Sequence, residues 1–241
     1  MTQVLLSIII PAHNEESRLP QTLEQTAAFL KMQPYSSEII VVENGSTDRT
    51  LAISQDYARR IENLIVIHND LPGKGRAVQA GMLAAQGEFR FCADADLSMP
   101  ITEVNRFLPP QLPAAPVVIA SREAPGAVRY NEPAYRHLTG RVFNTMVRWV
   151  ALPGLQDTQC GFKCFRSDVV ERVFPLQTIM GWTFDVEILF IARRMGYAVT
   201  ELPIPWYYNG DSKIRVLKHS WQMLLDLLSI RRNGWRGLYN R

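Results

Sequence analysis

Cysteine is scarce in this 241-residue chain: Cys92, Cys160 and Cys164 are an odd set without a paired CxxC framework. That argues against a disulfide scaffold or a structural zinc site and leads us to expect a reducing, cytoplasmic setting. Long apolar runs are missing as well. The stretch VLLSIII near the start is far shorter than the roughly 20 residues needed to span a bilayer, and it lacks a basic flank and a small-residue cleavage site. With no spanning segment before the chain stops at Arg241, any membrane contact is expected to be peripheral. Neither the G-x-x-x-x-G-K-[ST] nor the G-x-G-x-x-G pattern occurs, which weakens a P-loop kinase or a dinucleotide-dependent dehydrogenase. Low-complexity tracts, Gly/Ser linkers and internal repeats are absent too, so with 47% hydrophobic and 20% charged residues the chain reads as ordered and globular.

What is present begins with an uneven charge. From Gly210 to Arg241 there are seven Lys or Arg against Asp211 and Asp226, while the whole chain carries only +3. The tail is therefore basic and the remainder slightly acidic, which suits an anionic membrane surface, a phosphorylated substrate or nucleic acid. No nucleic-acid motif accompanies the tail, so that last partner is not expected.

Short β-rich runs, VLLSIII, EIIVVEN, NLIVIH and EFRFCAD, alternate with helical spacing over roughly 16–33, 47–60 and 75–86. This alternation predicts a mostly parallel sheet with helices on both faces, whose ligand sits at the carboxyl ends of the strands. The polar clusters PAHNEE, ENGSTD, NDLPGKG and DAD fall at those ends. A fifth strand is expected at 116–122, ending in Arg122, then a helix over 133–150. An amphipathic helix over 185–195 and a late strand in AVTELPIPW follow. In the last helix, from Val216 to Ile230, the residues Val216, Leu217, Trp221, Leu224, Leu225 and Leu228 stand at helical spacing.

Two carboxylates just past a strand, Asp94 and Asp96, suit Mg²⁺ or Mn²⁺, which accept one or two carboxylates plus phosphates and water. The competing role for Asp96 or Ser98 is to cap a helix that follows Pro100. Gly73, Lys74 and Gly75 allow backbone and a cation to approach an anion closely.

In this order, PAHNEE, ENGSTD, GKGRAVQAGMLAAQGEF, DADLSMP, DTQCGFKCF, WTFDVEIL and GDSKIR resemble the family 2 glycosyltransferases of GT-A fold. Within that family the likeness is strongest to dolichyl-phosphate β-glucosyltransferases and bacterial polyprenyl-phosphate relatives. The resemblance implies an α/β GT-A catalytic domain over 1–210 and a basic amphipathic segment over 211–241, packed on it or continuous with it. It implies an inverting, metal-dependent transfer of a sugar, expected to be glucose from UDP-glucose, to a polyprenyl or dolichyl phosphate. It also puts Pro11, Ala12, His13 and Glu15 beside the nucleobase and ribose, although His13 and Glu15 would equally serve as caps for the helix behind them. Glu43 stands where the family usually has a base-contacting Asp, and Asn44 replaces a second one. Lys74 would lie near the donor, Asp94 near ribose or metal and Asp96 on the metal. Ser212 and Lys213 belong to a loop that would fold over the donor.

For the acceptor, the resemblance singles out Arg122 and Arg136, with Arg141 as a further candidate, as holders of the lipid phosphate; planar guanidinium groups suit that task. Asp157, Gln159, Trp182, Asp185 and Glu187 would face sugar and acceptor, and Asp185 would orient or assist as a base. The two sulfurs Cys160 and Cys164 read as packing. Alternatives kept open are GDP-mannose or another donor, a saccharide or protein hydroxyl as acceptor, and a non-catalytic nucleotide-sugar or membrane-binding module. The basic tail, with the helix around 141–151, would lie on an anionic leaflet or else pack on the core.

Overall fold

The computed structural model describes residues 4–209 and 216–240, apart from the side chains of Thr139 and 216–220. The first part of the chain runs β1 (Leu6–Ala12), α1 (Leu19–Lys31), β2 (Ser37–Asn44), α2 (Thr50–Ala58), β3 (Leu64–Asn69), α3 (Lys74–Ala84) and β4 (Phe89–Cys92). A 3₁₀ stretch over Ile101–Phe107 leads to β5 (Val117–Ser121), β6 (Val128–Tyr130), α4 (Ala134–Val150) and β7 (Lys163–Arg166). The chain continues through α5 (Ser167–Val173), α6 (Phe184–Arg194), β8 (Val199–Pro203), β9 (Pro205–Tyr207) and α7 (Val216–Trp235).

Period-two geometry explains the continuous apolar strands. In β1, Ile8 and Ile10 enter one core cluster and Ile9 the other; in β2, Ile39 and Val41 oppose Ile40 and Val42 in the same way. Successive side chains point to opposite faces, and both faces are covered by helices. Each such fully buried side chain contributes on the order of 1.5–3 kcal/mol.

The seven-stranded sheet has the order β3-β2-β1-β4-β7-β5-β8. Parallel partners β2 and β4 flank β1 on opposite sides, so the chain's winding reverses at β1. A crevice forms where connections leave a sheet in opposite directions, at the carboxyl ends of the strands. Strand β7 runs antiparallel to both β4 and β5. The sequence gives little sign of it, because a four-residue strand bounded by Lys163 and Arg166 has no apolar run. Its neighbours supply the context: Cys164 and Phe165 are buried on opposite faces.

The expected late strand divides at Ile204. Its first part, β8, pairs with β5 in the main sheet, and β9 pairs in parallel with β6 as a separate ribbon. Prolines 203 and 205 lack the N–H that a continuous ladder would need. The last helix also differs from the simplest expectation. Its core-facing residues are Met223, Leu227 and Ile230, whereas Trp221, Leu225 and Leu228 are exposed. The helix carries two apolar stripes, and helical spacing alone does not say which one turns inward. No helix among the described residues is long and apolar enough to cross a membrane.

Candidate active site

Three strand-end loops are tied together at the switch point. The His13 Nδ1–H donates to the Asn44 carbonyl (2.8 Å), Asn44 Nδ2 donates to the Gly73 carbonyl (2.9 Å), and Ser46 Oγ accepts the Asn14 N–H (3.0 Å). Gly73 adopts φ of 147°, and a Cβ there would lie 2.6 Å from the Met180 carbonyl oxygen, so the start of α3 is fixed by a position only glycine fills readily. Pro11 and Ala12 end β1, with Ala12 fully buried.

Glu43 departs from its expected place against a base. It is 1% exposed. One carboxylate oxygen accepts the Ser46 N–H (2.6 Å) and the other meets His68 Nδ1 (2.5 Å). Parallel register puts Glu43 beside His68 on the neighbouring strand, so the longer Glu side chain reaches sideways rather than into the crevice. This Glu43–His68 pair was not visible in either strand's pattern alone. The hydrogen bond that His68 donates to Glu43 raises the His68 pKa over the opposing effect of desolvation.

On the crevice floor, Lys74 Nζ lies 2.6 Å from Asp94 Oδ1 and 5.5 Å from the centroid of the Trp182 ring. Behind them Lys163 Nζ lies 2.7 Å from Asp185 Oδ1 and also donates to the Cys160 carbonyl. Gly161 seals the back of Asp94: a Cβ there would come within 1.9 Å of Asp94 Oδ2. Burial pushes the Asp94 carboxyl up, but Lys74, Lys163 and Arg122 outweigh it and hold its pKa below the usual value. Asp185 shows the reverse balance. Burial dominates the pull of Lys163 and Lys74, and its pKa is raised. For Lys74, burial is overcome by Asp94 and Asp185, which keep it protonated. Lys163 is the residue that sequence reading passed over; a lysine between buried Phe162 and Cys164 signals a buried partner, because an unpaired charge there would be costly.

Asp96 stands apart, on the rim. Its Oδ1 accepts the Ser98 N–H at 2.9 Å, an Asx-type turn that ends the strand region, while the 3₁₀ stretch begins only after Pro100 and has no side-chain cap. The residue lines an open pocket of about 470 Å³ with Arg18, Gln21, Thr22, Gln25, Leu97 and Asn209. Glu15 is placed at the edge of this region by a two-pronged ion pair with Arg18.

Across β7 lies an arginine cluster. Arg122 gives its backbone N–H, Nε and Nη2 to the Asp157 carboxylate at 2.9, 2.7 and 2.9 Å. Asp157 is fully buried, so it does not reach an acceptor as expected; it positions Arg122. Burial opposes its ionisation, but Arg122 prevails and brings its pKa down to about 2. The Arg122 guanidinium stacks on Trp206 (5.4 Å) and that of Arg136 on Tyr208 (4.8 Å), and the two rings are 5.9 Å apart. Arg129, not singled out beforehand, braces the group through Glu123, Glu132 and the Arg122 carbonyl.

Arg141 does not join Arg136. Five residues further along α4, it is turned about 140° around the axis and is exposed. Glu187 likewise turns away from Asp185, two residues before it. It is fully buried, accepting the Thr178 and Ile179 N–H groups (2.9 and 2.7 Å) and the Tyr239 hydroxyl (2.7 Å). Gln159 is half-buried in the loop before β7. Cys92, Cys160 and Cys164 are buried, and burial pushes the Cys92 thiol up to about 12 and that of Cys160 to about 11, consistent with packing. Ser212 and Lys213 lie outside the described residues.

The family model for glycosyl transferase family 2 matches residues 7–174. A dolichyl-phosphate beta-glucosyltransferase of Trichomonas vaginalis is 34% identical, over 95% of this chain and 73% of its own length. The enzymes of that name from Saccharomyces cerevisiae and Homo sapiens are 30% and 31% identical, over 98% and 94% of this chain and 77% and 74% of theirs. In fold, the chain is similar to glucosyl-3-phosphoglycerate synthase from Mycobacterium tuberculosis, solved with Mn²⁺, UDP and glucosyl-3-phosphoglycerate. The TM-score is 0.70 at 19% identity, covering 94% of this chain and 80% of that one. The family match begins in β1, passes through the Lys74–Asp94 crevice and ends beyond β7, and the similarity to whole glucosyltransferases extends across nearly all of the chain: this is a glycosyltransferase enzyme of GT-A fold, and it belongs to glycosyl transferase family 2.

Proposed function

We propose that the enzyme transfers glucose from UDP-glucose to the phosphate of a polyprenyl or dolichyl phosphate, with inversion at the anomeric carbon. The observation that carries the acceptor assignment is the pair of guanidinium groups stacked on Trp206 and Tyr208. Of the Arg122 guanidinium, Asp157 engages Nε and Nη2, and among the described residues Nη1 is left for an incoming phosphate oxygen. The relatives named for dolichyl phosphate support the same reading.

A phosphate monoester is already nucleophilic near neutrality. One of its oxygens forms the new bond to the anomeric carbon as the bond to the donor diphosphate breaks, and the electron pair of that bond leaves with the diphosphate. No proton need be removed from a dianionic acceptor. Lys74 would offset charge on the donor side, Arg122 and Arg136 would hold the acceptor in line, and Trp182 would wall the sugar. Asp185, fixed by Lys163, would orient the sugar.

Among the described residues, no group of three or more His, Cys, Asp or Glu could hold a metal ion. Two carboxylates fit a Mg²⁺ or Mn²⁺ that takes its remaining ligands from phosphates and water. Held by Asp96 at the rim, and by Asp94 where its Lys74 pair leaves an oxygen to share, that cation would stabilise charge on the departing diphosphate. Domain limits of 1–210 for the catalytic unit and 211–241 for a basic segment are part of this proposal, as is a peripheral position at the cytoplasmic face of a membrane.

A second reading is transfer to a saccharide hydroxyl, which would need a general base, a role for which Asp185 is the candidate. A panel of UDP-glucose, UDP-galactose, GDP-mannose and UDP-N-acetylglucosamine separates the readings. Each donor is offered to a short polyprenyl phosphate or a soluble sugar, with and without Mn²⁺ or Mg²⁺. We expect metal-dependent transfer from UDP-glucose to the lipid phosphate; transfer to soluble sugars alone would overturn the proposal.

A further inference from the structure

Helices α4 and α7 pack on each other, and each is apolar on two sides. Inward, α4 buries Phe143 and Val147, and α7 buries Met223, Leu227 and Ile230. Outward, α4 exposes Tyr135, Leu138, Val142 and Trp149, spaced three, four and seven residues apart; α7 exposes Trp221, Leu225, Leu228 and Trp235 at spacings of four, three and seven. Residues so spaced share one helix face. Trp149 is 87% and Trp235 77% exposed. Scattered exposed apolar residues need no explanation, but two continuous stripes on touching helices do.

We infer that these two stripes form a docking face for an anionic lipid bilayer. Charge selects that occupant. Helix α4 carries Arg136, Arg141 and Arg148 and no Asp or Glu. On α7 the one acidic residue, Asp226, accepts from Thr183 and Gln222, while Arg231, Arg232 and Arg236 follow it. Arg232 and Arg236 are exposed, and the Arg231 guanidinium lies over the Trp235 ring. Tryptophans flanked by arginines match the headgroup region of a membrane, where the rings meet the acyl boundary and the cations meet lipid phosphates. A second copy of the chain is a poorer occupant, because a two-fold contact would set arginines against arginines with no outward acid on either helix to meet them.

The face also begins beside the arginine cluster. Tyr135 and Arg136 are adjacent in the first turn of α4, and Arg136 stacks on Tyr208 toward Arg122. This part rests on the proposed acceptor: docking would bring the Arg122 and Arg136 seat to headgroup depth, where the phosphate of a polyprenyl lipid resides.

The test is co-sedimentation of the full chain with vesicles of phosphatidylcholine alone or mixed with phosphatidylglycerol, across a salt series. Binding should require phosphatidylglycerol and weaken with salt. The double variant Trp149→Ala/Trp235→Ala, with its melting transition unchanged, should bind about tenfold or more weakly. Arg232→Glu/Arg236→Glu should lose the preference for anionic lipid. Transfer to a water-soluble short-chain acceptor should stay at wild-type level in the Trp variant while transfer to a vesicle-embedded acceptor falls about tenfold. Vesicle binding without any sugar transfer would support the docking face and overturn the functional reading instead. Equal binding to both vesicle types, no binding to either, or a concentration-dependent dimer that the Trp variant dissolves would each overturn the inference.

Discussion

On the crevice floor two lysines face two aspartates, Lys74 on Asp94 and Lys163 on Asp185. By contrast, α4 carries three arginines and no acidic residue, and the lone aspartate of α7 is turned onto Thr183. Burial makes the difference. Pairs within the floor fix each other's ionisation, and breaking the buried Lys163–Asp185 pair leaves a charge without water, whereas the half-buried Lys74–Asp94 pair is reached by solvent. Exposed arginines such as Arg141, Arg232 and Arg236 contribute little to folding, yet their field remains available to a partner. The floor should therefore fail in fold and chemistry together, whereas the outer face should fail only in where the enzyme works.

Lys163→Met should have the largest effect, because it strands Asp185 among Phe184, Ile188 and Phe174. We expect a loss of about 3–5 kcal/mol in urea denaturation, together with loss of activity. Asp96→Ala is next: turnover should fall about a hundredfold or more while the melting transition persists, since Asp96 lies at the rim. Asp157→Asn tests the arginine side. The Asp157 pKa, at about 2, is below the ordinary value of about 3.9, so the pair's stabilisation is present above that value and disappears as pH falls toward the folded one. An acid unfolding series should show wild type losing about 2 kcal/mol over that interval, a loss that the variant lacks, and the variant's KM for acceptor should rise.

His68→Gln should act more weakly. The His68 pKa is raised, so its contribution is present below the ordinary histidine pKa and is lost as pH rises through the folded value. A plot of melting temperature against pH should be flatter for the variant across that window. Trp149→Ala should be the smallest in stability, within about 0.5 kcal/mol of wild type; a larger loss would mean that the outer stripe is packed against the protein.

The contrast also follows what was legible in the sequence. Strands β1 to β4 and helices α1 to α3 were readable because each has an unbroken apolar run or a helical period, and the crevice followed from polar clusters at their ends. Asp94, Lys74 and Arg122 stand out in the sequence because their local contexts are distinctive. The pairings could not. Glu43 with His68, Lys163 with Asp185, and Arg122 with Asp157 join residues from different elements, 22 to 35 positions apart for the last two. Strand β7 was hidden by its brevity, and the inward face of α7 by the presence of two apolar stripes.

The most direct test of the account is the configuration of the lipid-linked product. Purified enzyme given UDP-glucose, divalent metal and a short polyprenyl phosphate should yield a β-linked glucosyl phosphate, identified by nuclear magnetic resonance of the anomeric proton and absent with Asp96→Ala. An α-linked product, or glucose found only on a hydroxyl acceptor, would contradict it.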